Sequence, residues 1–323
     1  MPVVWHRGFA RGKYVRTAWV GGASMLGART MRVLVTGGTG LVGKPTCDAL
    51  RAAGHAVTIV SREPGRVPSR AVGWDALRAV MPETDAIVNL AGDPIAGGRW
   101  TDARKAMIRR SRIEGTRALV DAIAAVDPRP KVLVSASAVG YYGDRGDTPL
   151  DETAGPGAGF LARVCVEWEA EARRAETLGL RVVLVRLGIV LAPDGGALSA
   201  MLLPFRAGLG GPLGGGRQWM SWVHRDDVVG LLRDAVAKDA YAGPVNATSP
   251  HPVTNKDFTK ALGHALHRPS ILPVPGFGLR LLVGEMASML LGGQRVLPGV
   301  AEHVGYTWRQ PELPAALETC VGP

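Results

Sequence analysis

Glycines stand at 37, 40 and 43 in the run Thr36-Gly-Gly-Thr-Gly-Leu-Val-Gly43, which fits both a GxxGxxG and a GxGxxG spacing. Glycine permits a tight turn and lets the backbone approach a pyrophosphate closely. A helix starting there turns free N–H groups and the positive end of its dipole toward that anion. The spacing alone is weak evidence, but here it lies between the apolar run Met31–Thr36 and a helical pattern that extends to about Ala53. That context gives the motif its meaning as a dinucleotide cradle. A dinucleotide site usually places an acid about 20 residues further on, to bind a ribose 2′-hydroxyl. Here Ser61-Arg62 occupies that place, with Arg66 close behind. An arginine repels no 2′-phosphate and can bind one through paired hydrogen bonds, so the expected cofactor is NADP(H) rather than NAD(H). A solvated surface charge is the plainer reading of Arg62.

The elements that must hold these residues alternate in type. Short apolar runs at 31–36, 56–60, 86–90, 131–135 and 181–191 read as buried parallel strands. Helical patterns lie between them, notably Thr101 to about Ala125, with Thr101 as N-cap, and Phe160–Leu178. Pro45 is tolerated in the first turn of its helix, where an N–H has no helical partner. This is the order of a doubly wound, Rossmann-type α/β sheet. The texture changes near residue 193. Gly208–Gly216 is glycine-rich, prolines cluster after Pro244, and helices are expected near 255–267, 277–291 and 311–320. The chain therefore divides into an NADP-binding domain, 31–193, whose sheet can receive later strands, and a smaller C-terminal α+β lobe, 194–323, on the substrate side.

The glycine loop, Leu90-Ala-Gly92 and Gly115-Thr116 resemble the extended short-chain dehydrogenases/reductases, which include nucleotide-sugar epimerases and dehydratases. Trp74-Asp75, Ser111-Arg-Ile-Glu-Gly-Thr116, Ser135-Ala-Ser-Ala-Val-Gly-Tyr-Tyr-Gly143, Trp168-Glu169, Gly208–Gly215, Trp222-Val-His-Arg-Asp226 and Gly243-Pro-Val-Asn-Ala247 narrow the match. They are similar to an atypical, epimerase-like group of unknown substrate that carries a C-terminal domain of unknown function. The resemblance spans about Met31 to Leu317. It implies cofactor contacts from Gly37, Thr39, Gly40, Leu41, Val42, Gly43, Ser61, Arg62, Leu90, Ala91, Gly92, Arg112 and Val190. Leu90–Gly92 is small and apolar enough to lie against a ribose, and Arg112 can reach phosphate or ribose from its helix.

The same resemblance exposes a gap. Its members use Tyr-x-x-x-Lys, in which lysine lowers the tyrosine pKa and tyrosine moves the proton. Phe160 and Val164 stand at those positions here, and Arg112 replaces a customary asparagine. Ser137 is placed like the serine that hydrogen-bonds a substrate carbonyl, and Tyr141 or Tyr142 is the candidate substitute acid, with Arg145 nearby. Packing in a loop is the plainer reading of both tyrosines. Cys165 reads as a small core residue. His224 and Asp226 read as docking residues for the C-terminal lobe, with a proton relay through His224 as the alternative. Gln218–Trp222 and the 208–216 loop are expected on the substrate side of the cleft. An NADP(H)-dependent oxidoreductase or epimerase acting on a small carbonyl or sugar-like molecule is the leading reading. A cofactor-binding redox sensor or regulator is the alternative, followed by a nucleotide-sugar binding module without redox chemistry.

Composition narrows the classes further. The 323 residues are 46% apolar, enough to bury a large core. No apolar run reaches the roughly 18 residues of a membrane span, so no membrane partner is expected. Cys47, Cys165 and Cys320 are far apart, which excludes a disulfide framework and a CxxC metal site, and no metal is expected. Half of the net charge of +10 comes from the five basic, acid-free side chains of residues 1–30. The charge is therefore largely a leader's property, and no nucleic-acid partner is inferred. That leader is expected outside the fold, as the result of an early start codon with Met31 the initiator, or as a transit-type signal or genuine extension. A cytoplasmic location and a small-molecule ligand follow; assembly stays open, a homodimer included.

Overall fold

The computed structural model describes residues 30–96 and 98–322. The basic leader therefore lies outside the described residues but for Thr30. Five short strands open the sheet: β1 Arg32–Thr36, β2 Ala56–Val60, β3 Ala71–Val72, β4 Ala86–Asn89 and β5 Val132–Ala138. The strands Arg181–Leu187 and Gly243–Ala247 extend it on the β5 side. The spatial order is Gly243–Ala247, Arg181–Leu187, β5, β4, β1, β2, β3, and every neighbouring pair is parallel. The strand order reverses between β1 and β4, and ligands of doubly wound sheets bind in the crevice at such a reversal. The seventh strand comes from far along the chain.

Side-chain alternation builds two cores from one sheet. Val33 and Val35 of β1 face the first helix, Gly43–Ala52, and the helix Arg225–Ala237, meeting Cys47, Leu50, Val228 and Leu232. Leu34 faces the opposite way, toward Leu119 and Ile123 of the long helix Asp102–Ala124 and Ala172 of the helix Phe160–Arg173. Thr101 caps the long helix, its hydroxyl accepting from the Arg104 amide at 3.2 Å. The three cysteines are free and buried.

Three expected elements have different bounds, each for a local reason. β5 runs on to Ala138 because its partner strand carries the ladder to Ala138 opposite Leu187. The expected strand 181–191 breaks at Gly188. Beyond it, Ile189–Leu191 leaves the main sheet and pairs with Trp222–His224. A Cβ at Gly188 would lie 2.4 Å from the Ser221 carbonyl oxygen, so only glycine fits that switch of partners. The expected helix 277–291 is two helices, Gly276–Val283 and Ala287–Leu291, separated at the left-handed Gly284.

Candidate functional site: a glycine cradle, an arginine groove and an apolar cavity

The loop after β1 turns tightly, with the Gly40 amide donating to the Gly37 carbonyl at 3.0 Å. A Cβ at Gly43 would fall 2.0 Å from that carbonyl oxygen, and one at Gly37 would fall 2.7 Å from the Leu90 carbonyl oxygen. The two glycines thus let the β1 and β4 loops approach closely, leaving a cradle that side chains would fill. Val42 holds the N-cap of the first helix without a side-chain cap. The Lys44 amide donates to the Gly40 carbonyl and Pro45 has no N–H, so the Gly43 amide and the positive end of the helix are what face an anion there. Behind the cradle, Thr36 Oγ1 donates to Asn89 Oδ1 at 2.7 Å and accepts the Ala91 amide at 3.1 Å. Asn89 Nδ2 in turn donates to Thr116 and Ser135 hydroxyls. This buried network fixes the carboxyl ends of the central strands.

From the cradle an open groove runs over the end of β2, lined by Ser61, Arg62, Trp74, Ala91, Gly92 and Arg110, among others. The Ser61 hydroxyl accepts the Glu63 amide, and Arg66 pairs with Glu63 at 2.7 Å. Arg62 and Arg110 are exposed, and neither has a hydrogen-bond or ion-pair partner among the described residues. Arg110 was not among the expected contacts. Its place on the long helix, two residues before Arg112, was the available signal.

In the other direction the cradle opens into a cavity of about 460 Å³. Gly37, Val42, Gly43, Leu90, Gly92, Arg112, Ser137 and Val190 all line it, so the structure brings these predicted residues together. Arg112 Nη1 donates to the Asp93 and Ile108 carbonyls at 3.0 and 3.2 Å, and its guanidinium lies 5.3 Å from the Trp168 ring. Burial lowers its pKa. Ser137 is 1% exposed and donates to Glu169 Oε1 at 2.7 Å. Glu169 is gripped by Arg186 through Nε and Nη2, at 2.8 and 2.9 Å. Arg186 Nη1 reaches the Tyr142 hydroxyl at 2.9 Å, which donates to Asn246 Oδ1 at 2.7 Å. The Glu169–Arg186 pair escaped the sequence reading. The one available signal was Arg186, a base set in the apolar run 182–191; Glu169, between Glu167 and Glu171, looks like any acid on a helix.

Tyr142 is fully buried in that chain of contacts, and burial pushes its hydroxyl up to about 12. Tyr141 stacks beneath the Arg186 guanidinium at 3.6 Å. Neither tyrosine lines the cavity. Phe160 turns away from it too, packing edge-on against Trp100 at 5.3 Å, whereas Val164 and Cys165 do line it. Burial pushes the Cys165 thiol up to about 12, far from a reactive thiolate.

The C-terminal half supplies the facing wall through Leu213, Gln218–Ser221, Asn255 and Met289–Leu290. Trp222, expected there, is instead core, with no exposed surface and its Nε1 on the His251 carbonyl. Ser221 Oγ donates to the Gln294 carbonyl at 2.6 Å and accepts the Val296 amide at 2.9 Å, tying this wall to the last part of the chain. The docking aspartate is Asp227 rather than Asp226. Asp227 accepts the Arg309 and Gln310 amides at 2.7 and 3.0 Å, while the Asp226 side chain is half exposed. His224 caps its helix through Nδ1, with Nε2 3.3 Å from the Thr319 hydroxyl, and burial lowers its pKa. It does not line the cavity.

Comparison with known proteins decides the family. A model of the NAD dependent epimerase/dehydratase family matches residues 33–246, and one described as a domain of unknown function (DUF1731) matches 274–320. The chain belongs to the NAD dependent epimerase/dehydratase family. Among its relatives, the chloroplastic epimerase family protein SDR39U1 homolog of Arabidopsis thaliana is 41% identical, over 89% of this chain and 86% of its own. Epimerase family protein Mb2239 of Mycobacterium bovis is 43% identical, over 88% of this chain and 96% of its own. The crystal structure of human epimerase family protein SDR39U1 with NADPH superposes with a TM-score of 0.84 at 38% identity, covering 90% of this chain and 99% of that one. The doubly wound fold and the epimerase-like group read from the motifs are thereby shown. Among the described residues, no helix is long and apolar enough to cross a membrane, and no cluster of His, Cys, Asp or Glu is arranged to hold a metal.

Proposed function

We propose that this family member binds NADP(H) along the cradle and groove and acts as an oxidoreductase on a small molecule held in the cavity. The observation that carries the reading is Arg62, exposed at the end of β2 without a partner among the described residues and sharing its groove with Arg110. Two guanidinium groups beside Ser61 suit a 2′-phosphate; of the carboxylates in the groove, Asp93 is already paired with Arg104 and Glu114 lies on the long helix rather than at the end of β2. The NADPH bound to the human relative supports the same choice. The glycine loop and the first turn of its helix would hold the pyrophosphate, and Leu90, Ala91 and Trp74 would flank the adenosine side. Arg112, Ser137 and Val190 would face the nicotinamide end. When bound, the cofactor supplies or accepts a hydride. The chain's own part is to orient the reacting carbon beside Ser137 and to exclude water with apolar walls.

Turnover without Tyr141 or Tyr142 as acid is part of this reading, since both lie outside the cavity. Their burial equally favours a second reading, a cofactor-binding regulator with little catalysis. Fluorescence titration with NADPH and NADH tests the cofactor assignment. NADPH should bind more tightly, and equal affinities would overturn the assignment. A panel of carbonyls and alcohols that leaves NADP(H) unchanged while NADPH binds tightly would favour the regulator.

A further inference from the structure

The proton on Ser137 is already committed. Glu169, held on both oxygens by Arg186, is a carboxylate and can only accept, so the 2.7 Å contact requires Ser137 to be the donor. The Ser137 oxygen then offers the cavity lone pairs and no hydrogen. A carbonyl presented to it would meet lone pair against lone pair, whereas a hydroxyl would donate to it.

The rest of the cavity is just as selective. Gln218 spends its amide nitrogen on the Leu213 and Leu290 carbonyls, and Asn255 spends its side chain on the Leu213 amide and Met220. Ser221 spends its proton on Gln294 and accepts from Val296. Among the described residues Arg112 is the one charged residue of the lining, and its Nη1 is tied to backbone carbonyls. Beyond the cofactor crevice the surface is that of Ile95, Leu161, Val164, Met201, Leu213 and Met289. A nucleoside diphosphate needs several cations or free N–H groups clustered together to replace its hydration, and the described walls offer only the remaining nitrogens of Arg112 and the Gln294 side chain.

We propose that the cavity takes an apolar alcohol rather than a nucleotide-sugar, anchored by the hydroxyl it donates to Ser137, with Glu169 as the positioning residue that sets the polarity of that contact. The proposal rests on the NADP(H) reading of the crevice, and its test separates the two.

The full chain is first loaded with a tetrahydronicotinamide analogue of NADP that cannot exchange hydride, and loading is measured. Failure to load overturns the cofactor reading itself. The loaded protein is then titrated by calorimetry with menthol, menthone and UDP-glucose. Menthol should bind about three- to tenfold more tightly than menthone, the worth of one hydrogen bond, and UDP-glucose should not bind. Ser137→Ala should abolish the difference between menthol and menthone. Glu169→Gln, whose amide can donate to Ser137 and free the serine proton, should turn the preference toward menthone, an inversion that a merely structural role would not produce. If that variant does not fold, the native comparison and Ser137→Ala carry the test. Menthone binding as well as menthol, UDP-glucose binding better than either, or no binding of any probe would overturn the proposal.

Discussion

The groove over β2 and the cavity behind Ser137 start from the same glycine cradle and are built on opposite terms. In the groove, Arg62 and Arg110 extend into solvent with no partner among the described residues. Behind the cavity wall, Ser137, Glu169, Arg186, Tyr142 and Asn246 satisfy one another in an unbroken buried chain. Charge left free at a surface marks a place for a ligand to complete. Charge paired in the interior stays there only while its partner does. One end of the site is therefore designed for an ionic guest, and the other is sealed against it.

The sharpest way to break this contrast is to cut the buried pair. Glu169→Ala leaves the Arg186 cation uncompensated in the core and should cost about 3–5 kcal/mol of stability, read by urea unfolding. A loss below 1 kcal/mol would mean that Arg186 finds water or another partner. Arg62→Ala is the matching cut in the groove. It should leave stability unchanged and weaken NADPH by about 1.5–3 kcal/mol while NADH is unaffected. Raising salt should narrow the same gap in the native protein, because the contact is exposed.

Tyr142→Phe then asks whether the buried chain belongs to catalysis or to packing. It removes one donor from Asn246 and one acceptor from Arg186, for an expected loss of about 1–3 kcal/mol in stability. NADPH affinity should not move; a loss of affinity at full stability would place Tyr142 in the site after all. The smallest effect belongs to His224. Burial lowers its pKa, so the unfolded chain binds its proton more readily, and the contribution to stability falls as pH drops through the ordinary histidine value of about 6.5. His224→Asn keeps a side-chain acceptor at the cap and cannot titrate there. Its stability should therefore decline less steeply than the native protein's between pH 7 and pH 5, and parallel slopes would show that His224 is not the group responsible.

Legibility in the sequence followed the range of the interactions. The cradle was readable because strand, glycines and helix are contiguous, and Arg62 because its distance from Gly43 is set by one helix and one strand. Thr101 was readable as a cap for the same reason. The Glu169–Arg186 pair joins a helix to a strand, and no periodicity names the partner of a buried charge. Asp226 and Asp227 differ by one residue at a helix start. About 100° of rotation puts Asp227 on the C-terminal segment and Asp226 in water, a choice that composition cannot make. Trp219 and Trp222 likewise parted, one to the cavity wall and one to the core, because strand pairing decided which face each occupied.

Ser221 clasps the Gln294 and Val296 backbone, and Met289 and Leu290 complete the cavity wall. The segment matched by the domain of unknown function is thus part of a container's wall rather than an appendage. Its heredity is constrained accordingly. A recombination that brought in a foreign C-terminal segment would change what the cavity admits while leaving the cofactor cradle intact. Diversification of this lineage should therefore proceed by paired drift on the two sides of that clasp, around residues 218–221 and 289–296, with the glycine loop as the fixed inheritance.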